Sequence, residues 1–320
     1  MDISQMKKKL LYLGGLALLL VGCEPLLSTT LPPAFTTTPV ASQTSPIATT
    51  VPTSSATIVL ATQISTPTSM PVPTLTPQER EVYVSELLKT NADCQLPCWW
   101  GIIPSKTTWA ETEQFIRSIG ARTSVFSKSN GFVAHGTGGF DFNERSIYNR
   151  VSFFEREGVI AYITIDADGL SNPMDFKTAW EYYAPEQVVS GYGQPSRVWV
   201  QTISTAHEGS LGTSVPYDLW LFYDDVGFLI RYSGSVKYEP IYRMCPTFSQ
   251  DGNIGDGIEM YLQSSESQMS LDVLVGEKIG AESSIHSIDE AAGMSVKEFH
   301  ALFGQSEKPV CFETPRDIWP

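Results

Sequence analysis

Residues 94–104, CQLPCWWGIIP, set Cys94 and Cys98 four positions apart and follow them at once with Trp99 and Trp100. Four chemistries use such a grouping. A redox thiol pair needs a thiolate held at low pKa by a helix N-terminus or a nearby cation, and the segment carries no Lys or Arg until Lys106. A thiolate metal site, such as those that pass on copper, needs further ligands at short spacing. The chain's histidines, His135, His207, His286 and His300, fall in no such pairing. Trp99 and Trp100 form a possible ligand platform on which a sugar ring stacks, or they wedge helices against a sheet, the commoner fate of Trp in a stretch as apolar as WWGII. The fourth chemistry is a disulfide staple across a turn that contains Pro97.

Other groupings that do chemistry are sparse. DADG (166–169) and DGNIGDG (251–257) mix carboxylates and glycines as calcium loops do, but neither keeps ligands at one, three and five with a glutamate at twelve, and both read as turns. HGTGG (135–139) has the look of an esterase oxyanion loop, yet no Gly-x-Ser-x-Gly accompanies it, and a glycine-rich hairpin accounts for it. A phosphate loop, zinc-protease histidines and a dinucleotide fingerprint are likewise missing from the sequence, so no cofactor, metal or catalytic residue is expected. Carboxylate pairs for glycoside cleavage are set by distance in three dimensions and leave no spacing to search.

The N-terminus, MDISQMKKKLLYLGGLALLLVGC, has Lys7, Lys8 and Lys9 ahead of an apolar run from Leu10 to Val21, the pattern of an export signal. The run is shorter than the ~20 residues that span a bilayer core. Leu20-Val21-Gly22-Cys23 resembles the lipobox of bacterial lipoproteins, which implies removal of residues 1–22 and lipidation of Cys23, with several acyl chains holding the protein to a membrane. Glu24 stands where an aspartate in that family marks inner-membrane retention, so the resemblance leaves the cell membrane and the outer membrane both open, facing outside the cytoplasm. CQLPCWWGI itself resembles segments of bacterial lipoproteins and implies no activity.

Residues 25–77 hold 32 Ser, Thr and Pro among 53 and no charged residue, so residues 23–77 read as a disordered tether. Stretched, it reaches ~160 Å; coiled, ~40 Å. Its hydroxyls offer sites for O-glycans, or it is a bare spacer. Removing residues 1–22, with three lysines and Asp2, takes the formal charge from −14 to −16. Such acidity excludes nucleic acid and anionic headgroups as partners of the folded region. In an exported chain the even set Cys94, Cys98, Cys245 and Cys311 reads as disulfides; three pairings are open, and the one expected is 94–98 with 245–311, each beside a proline near an element end. In the loop-entropy model these rings stabilise by about 2 and 4.4 kcal/mol.

Positioning these residues falls to the 243 residues from Gln78 to Pro320. Thr76-Pro77-Gln78-Glu79 and Thr108-Trp109-Ala110-Glu111 are capping boxes. The first is followed by Tyr83, Val84, Leu87 and Leu88 at helical spacing; the second by Phe115, Ile116 and Ile119, with Gly120 as a left-handed stop. Segments around 122–142 and the strands Tyr148–Glu155 and Val159–Asp166, flanking REG, come next. Helices at 173–183 and 185–192, a strand at 197–203 and a hairpin turning at 225–227 repeat the order, and QFIRSIG, QVVSGYG and EFHALFG echo one another. The spacing therefore predicts an α+β fold of two related units, 78–170 and 171–320, each a helix pair packed on an antiparallel sheet, the second with a C-terminal helical segment. APEQVVSGYGQPSRVWV (184–200) resembles a helix and strand of the small outer-membrane-assembly lipoproteins of SmpA/BamE type and, by extension, the β-lactamase-inhibitor-protein fold; SVKEFHALFGQ (295–305) shares the helix part. That resemblance implies function by protein binding.

The reading that follows is a membrane-anchored extracytoplasmic lipoprotein, a non-enzymatic protein-binding module of the cell envelope with an envelope protein partner. The alternative is a carbohydrate or small-ligand binding lipoprotein, and behind both stands a thiol-redox or hydrolytic enzyme. In the native host, wild-type chain should partition into the detergent phase of a Triton X-114 extraction and Cys23→Ala into the aqueous phase. Membrane retention of the variant would exclude the lipid tether.

Overall fold

Helix starts in this chain are written as reciprocal caps. The Thr76 hydroxyl accepts from the Glu79 N–H (3.3 Å) while the Glu79 carboxylate accepts from the Thr76 N–H (2.8 Å), and Pro77 supplies the first helical φ of α1 (Pro77–Thr90). Thr108 and Glu111 start α2 (Trp109–Ser118) in the same way. The same device recurs at Ser287/Glu290 and Ser295/Glu298. In all four, hydrogen bonds from the capping residue hold the glutamate carboxyl below its usual range.

The computed structural model describes residues 75–129, 131–137, 148–168, 173–203, 207–209, 212–248, 254–276, 284–304 and 310–320. The export signal, Cys23 and the tether up to residue 74 lie outside them. After α2 come β1 (Thr123–Ser129), β2 (Phe132–Thr137), β3 (Tyr148–Arg156) and β4 (Val159–Asp168); then α3 (Pro173–Ala179) and α4 (Pro185–Tyr192). There follow β5 (Arg197–Thr202), β6 (His207–Gly209), β7 (Gly212–Tyr223), β8 (Phe228–Lys237), β9 (Ile241–Met244) and β10 (Ile254–Gln263). The chain closes with α5 (Leu271–Val275), β11 (Ile285–Ser287), α6 (Ile288–Ala292), α7 (Val296–Phe303) and β12 (Phe312–Pro315). No helix among the described residues is long and apolar enough to cross a membrane.

Two separate helix-pair units do not form. The strands build one ten-stranded antiparallel sheet in the order β1-β2-β3-β4-β10-β8-β7-β5-β11, with β6 on β7, and β9 and β12 pair as a second small sheet. The reason is β10. Its residues 257–263 pair with β4 on one side and its residues 254–262 with β8 on the other, so the hairpin of the first half and the hairpin of the second become neighbours of the same strand. In the sequence this strand hides behind DGNIGDG, whose glycines and aspartates read as a turn; Ile254–Gly257 are in fact its first residues. The described residues all belong to one compact unit.

Strand alternation then sorts side chains to two faces. Ile163, Ile165, Ile258, Met260, Leu262, Ile230 and Leu219 point to one face and join a continuous core with Val84, Leu88, Ile116, Val189, Ile288 and Phe299 from α1, α2, α4, α6 and α7. Tyr83, expected on the buried face of α1, is instead exposed. Burial drives the hydroxyls of Tyr183 and Tyr232 in this core well above the usual tyrosine range. The β7–β8 turn needs glycine twice over. Gly227 has φ +96°, and a Cβ there would stand 2.5 Å from the Gln263 carbonyl oxygen at the end of β10.

Because β10 couples both halves, Met260→Ala should cost about 2–5 kcal/mol and leave a single urea transition in which fluorescence and far-ultraviolet circular dichroism coincide. Two separated transitions would mean that the halves unfold independently.

Candidate functional site

The Cys94–Cys98 loop is built around a buried asparagine. Both amide hydrogens of Asn91 are used, one donated to the Cys94 carbonyl (2.7 Å) and one to the Cys98 carbonyl (2.8 Å), while its oxygen accepts from the Trp100 N–H (3.0 Å). Cys94 and Cys98 are bonded to each other with Cα atoms 5.8 Å apart. The loop drives its tryptophans inward. Trp99 is 0% and Trp100 3% exposed, and Trp99 stacks on Trp100 (4.9 Å) and Trp180 (6.1 Å). Of the two fates considered for Trp99 and Trp100, the structure has the core and not the surface platform: stapling and the Asn91 clamp turn both rings inward. Cys245 and Cys311 are bonded at a Cα separation of 4.0 Å, one just after β9 and one just before β12.

The other expected groupings disperse. His135 lies in β2 with its ring 3.6 Å from that of Trp109, and its Nε2 is 2.8 Å from a Glu155 carboxylate oxygen. His286 packs edge-on against Trp319, His300 sits in α7 and His207 in β6. Among the described residues no three His, Cys, Asp or Glu are grouped as a metal site. Gly138, Gly139, Gly169 and residues 251–253 lie outside the described residues, and DADG begins not as a turn but as the end of β4.

What the fold assembles instead is a groove of about 640 Å³ on the sheet face opposite α1, α2, α4, α6 and α7. A row of side chains brought together by register crosses this face: Arg150, Asp166 and Glu259 lie in the floor of the groove, and Arg231 and Trp220 continue the row beyond its lining. Arg150 on β3 stands opposite Asp166 on β4, Asp166 opposite Glu259 on β10, Glu259 opposite Arg231 on β8, and Arg231 opposite Trp220 on β7. Directly opposed residues in antiparallel strands have Cβ atoms ~5 Å apart, so the register brings these groups side by side. Glu259 is 3% exposed and ion-paired with Arg231 (Nε to Oε2, 3.3 Å). Arg231 lies over the Trp220 ring and also 3.7 Å from Asp218. Asp166 has no hydrogen-bond or ion-pair partner among the described residues. The Tyr261 hydroxyl is raised well above the usual range, first by burial, with Arg231 opposing and Asp166 adding to the rise.

One wall is aromatic. Phe154 and Tyr162 stack at 4.0 Å, and Phe126 meets Phe154 edge-on at 6.2 Å; burial pushes the Tyr162 hydroxyl up to about 12. Hydroxyls of Ser124, Ser152 and Thr164 line the floor beside this wall. The other wall is α5, whose Leu274 faces the groove while Leu271 and Val275 bury against Trp220, Phe222 and Leu229. Arg197 fastens it. Its guanidinium bonds Asp272 of α5 (2.9 Å) and both carboxylate oxygens of Asp224 (2.8 and 3.0 Å), over the Phe222 ring at 4.1 Å.

The chain matches no protein-family model, no curated protein and no solved structure. The site therefore rests on its own geometry. Of its residues, sequence drew attention to Asp166, Gly136 and Thr137 only, within DADG and HGTGG and for other chemistries, although YITIDAD (162–168) held a usable signal: Tyr162, Thr164 and Asp166 alternate with Ile163, Ile165 and Ala167, which puts aromatic, hydroxyl and carboxylate groups on one face.

Removing Arg231 leaves the Glu259 carboxylate buried. Arg231→Met should lose about 3 kcal/mol in urea unfolding, at the low end for buried pairs because Arg231 is partly exposed, and Arg231→Met with Glu259→Leu should regain most of it. Equal stability of the single variant and the wild type would show that the pair carries no desolvation cost.

Proposed function

We propose that this protein is a lipid-anchored extracytoplasmic binding module whose groove takes a carbohydrate. The observation that carries the reading is the groove's two-sided chemistry. A pyranose has apolar C–H faces and a rim of hydroxyls, and here Phe126, Phe154 and Tyr162 form an aromatic wall beside the hydroxyls of Ser152 and Thr164 and the carboxylate of Asp166. The volume of about 640 Å³ lies within the ~300–1,000 Å³ usual for small-molecule sites. Charged groups cross the middle of this sheet face, so it lacks the continuous apolar surface that a large protein interface asks of a sheet. Anchoring rests on Leu20-Val21-Gly22-Cys23 and presentation on the tether 23–77.

An envelope protein partner, the other binding reading, has one observation on its side. Strand β1 ends the sheet, and its Val125 and Phe126 are 54% and 57% exposed, which suits addition of a partner strand along that edge. A bulge at Phe126 and the charge of Lys128 blunt the edge.

Calorimetric titration of the detergent-solubilised full chain with β-1,4-linked trisaccharides tests the proposal. Binding is expected, weakened about fivefold to tenfold by Phe154→Ala or Tyr162→Ala, the loss anticipated for one stacking ring. If no saccharide binds, and Phe126→Lys abolishes a crosslink to a defined envelope protein in intact cells, the protein-partner reading replaces this one.

A further inference from the structure

We infer that the groove selects saccharides bearing a free amino group. The inference rests on the carbohydrate reading above and adds the chemistry of the selected group. Two carboxylates face each other across β4 and β10, and only one is neutralised: Glu259 is held by Arg231 at 3.3 Å. Asp166, half-buried in the floor of the groove, has no ion pair or hydrogen bond among the described residues. Arg150 stands opposite it across β3 and β4 but is exposed, and no ion pair joins the two. A carboxylate in the floor of a groove without an ion-pair partner attracts an ammonium, and the attraction grows as the ligand excludes water.

The walls match the same ligand. Tyr162 lies on the strand that carries Asp166, four residues before it and on the same face, and Phe154 stacks against it at 4.0 Å. The rings stand ~13 Å along the strand from Asp166, so they offer stacking to a neighbouring sugar of the same oligosaccharide. Ser152 and Thr164, directly opposed on β3 and β4, offer hydroxyls to the rest of the sugar. Uronic or sulfated sugars meet the opposite condition: Asp166 and Glu259 in the floor, and a chain of formal charge −14, repel them.

The test titrates detergent-solubilised full-length protein with glucosamine trimer, N-acetylglucosamine trimer, glucose trimer and spermidine. The glucosamine trimer is expected to bind about tenfold more tightly than either neutral trimer, the gain of one hydrogen bond to a charged group, and spermidine more weakly than all three. Asp166→Asn, close in shape and at a side chain with no partner to lose, should bring the glucosamine trimer to the affinity of the neutral ones, with its fold checked by thermal melting. Equal affinities for the three trimers in the wild type, or a preference that survives Asp166→Asn, overturn the amine selectivity while leaving carbohydrate binding in place. Spermidine binding as tightly as the glucosamine trimer shows that the groove reads the amine and not a sugar, and absence of binding by every trimer removes both readings.

Discussion

Strand β10 is satisfied on both edges, and nearly every other feature follows from that. A strand in the interior of a sheet must spend all its N–H and C=O groups on neighbours, so pairing β10 with β4 and β8 commits both hairpins to one sheet. It also divides its side chains. Ile258, Met260 and Leu262 enter the core beneath the helices, while Glu259 and Tyr261 are delivered to the opposite face. Core and groove are thus two sides of a single strand, and a shift of one residue in its register would exchange them.

The two faces are covered unequally. Helices α1, α2, α4, α6 and α7 close over one, whereas among the described residues the other has only the five-residue α5, held down by Leu271, Val275 and the Arg197–Asp272 bond. Where α5 ends, the sheet turns from apolar to charged and aromatic. That change does not serve stability. Taking Glu259 and Arg231 out of water costs several kcal/mol that their attraction at best repays, and a hydrophobic pair of similar volume would come close to the same stability.

Local features of this fold are legible in the chain because they depend on residues three or four apart. The Thr76/Glu79 and Thr108/Glu111 boxes, the glycine stop at Gly120 and the turns at 157–158 and 225–227 all need only near neighbours. The pairing of Cys94 with Cys98 and Cys245 with Cys311 likewise follows from position beside element ends. The sheet order is another matter. β4 and β10 are about ninety residues apart, and nothing near Ile254 announces which strand it will join. The groove is hidden for the same reason: Arg150, Asp166, Glu259 and Arg231 become a row only after the register is set. That Trp99 and Trp100 enter the core is the favoured reading of so apolar a stretch, but the Asn91 clamp that points them inward is invisible in the sequence.

The two disulfides lie away from the groove. None of Cys94, Cys98, Cys245 and Cys311 lines it; the first pair closes a loop over the helix-side core and the second ties the segment after β9 to the segment before β12. Their contribution is to the unfolded chain, whose freedom they restrict, and a pair joining residues 66 apart in sequence restricts it more than one joining residues four apart. Such bridges persist where the surroundings are oxidising. The sheet then needs no help from the bridges to shape its groove: the geometry of Asp166, Glu259 and the aromatic wall is set by backbone pairing, with the staples guarding the helical layer behind it.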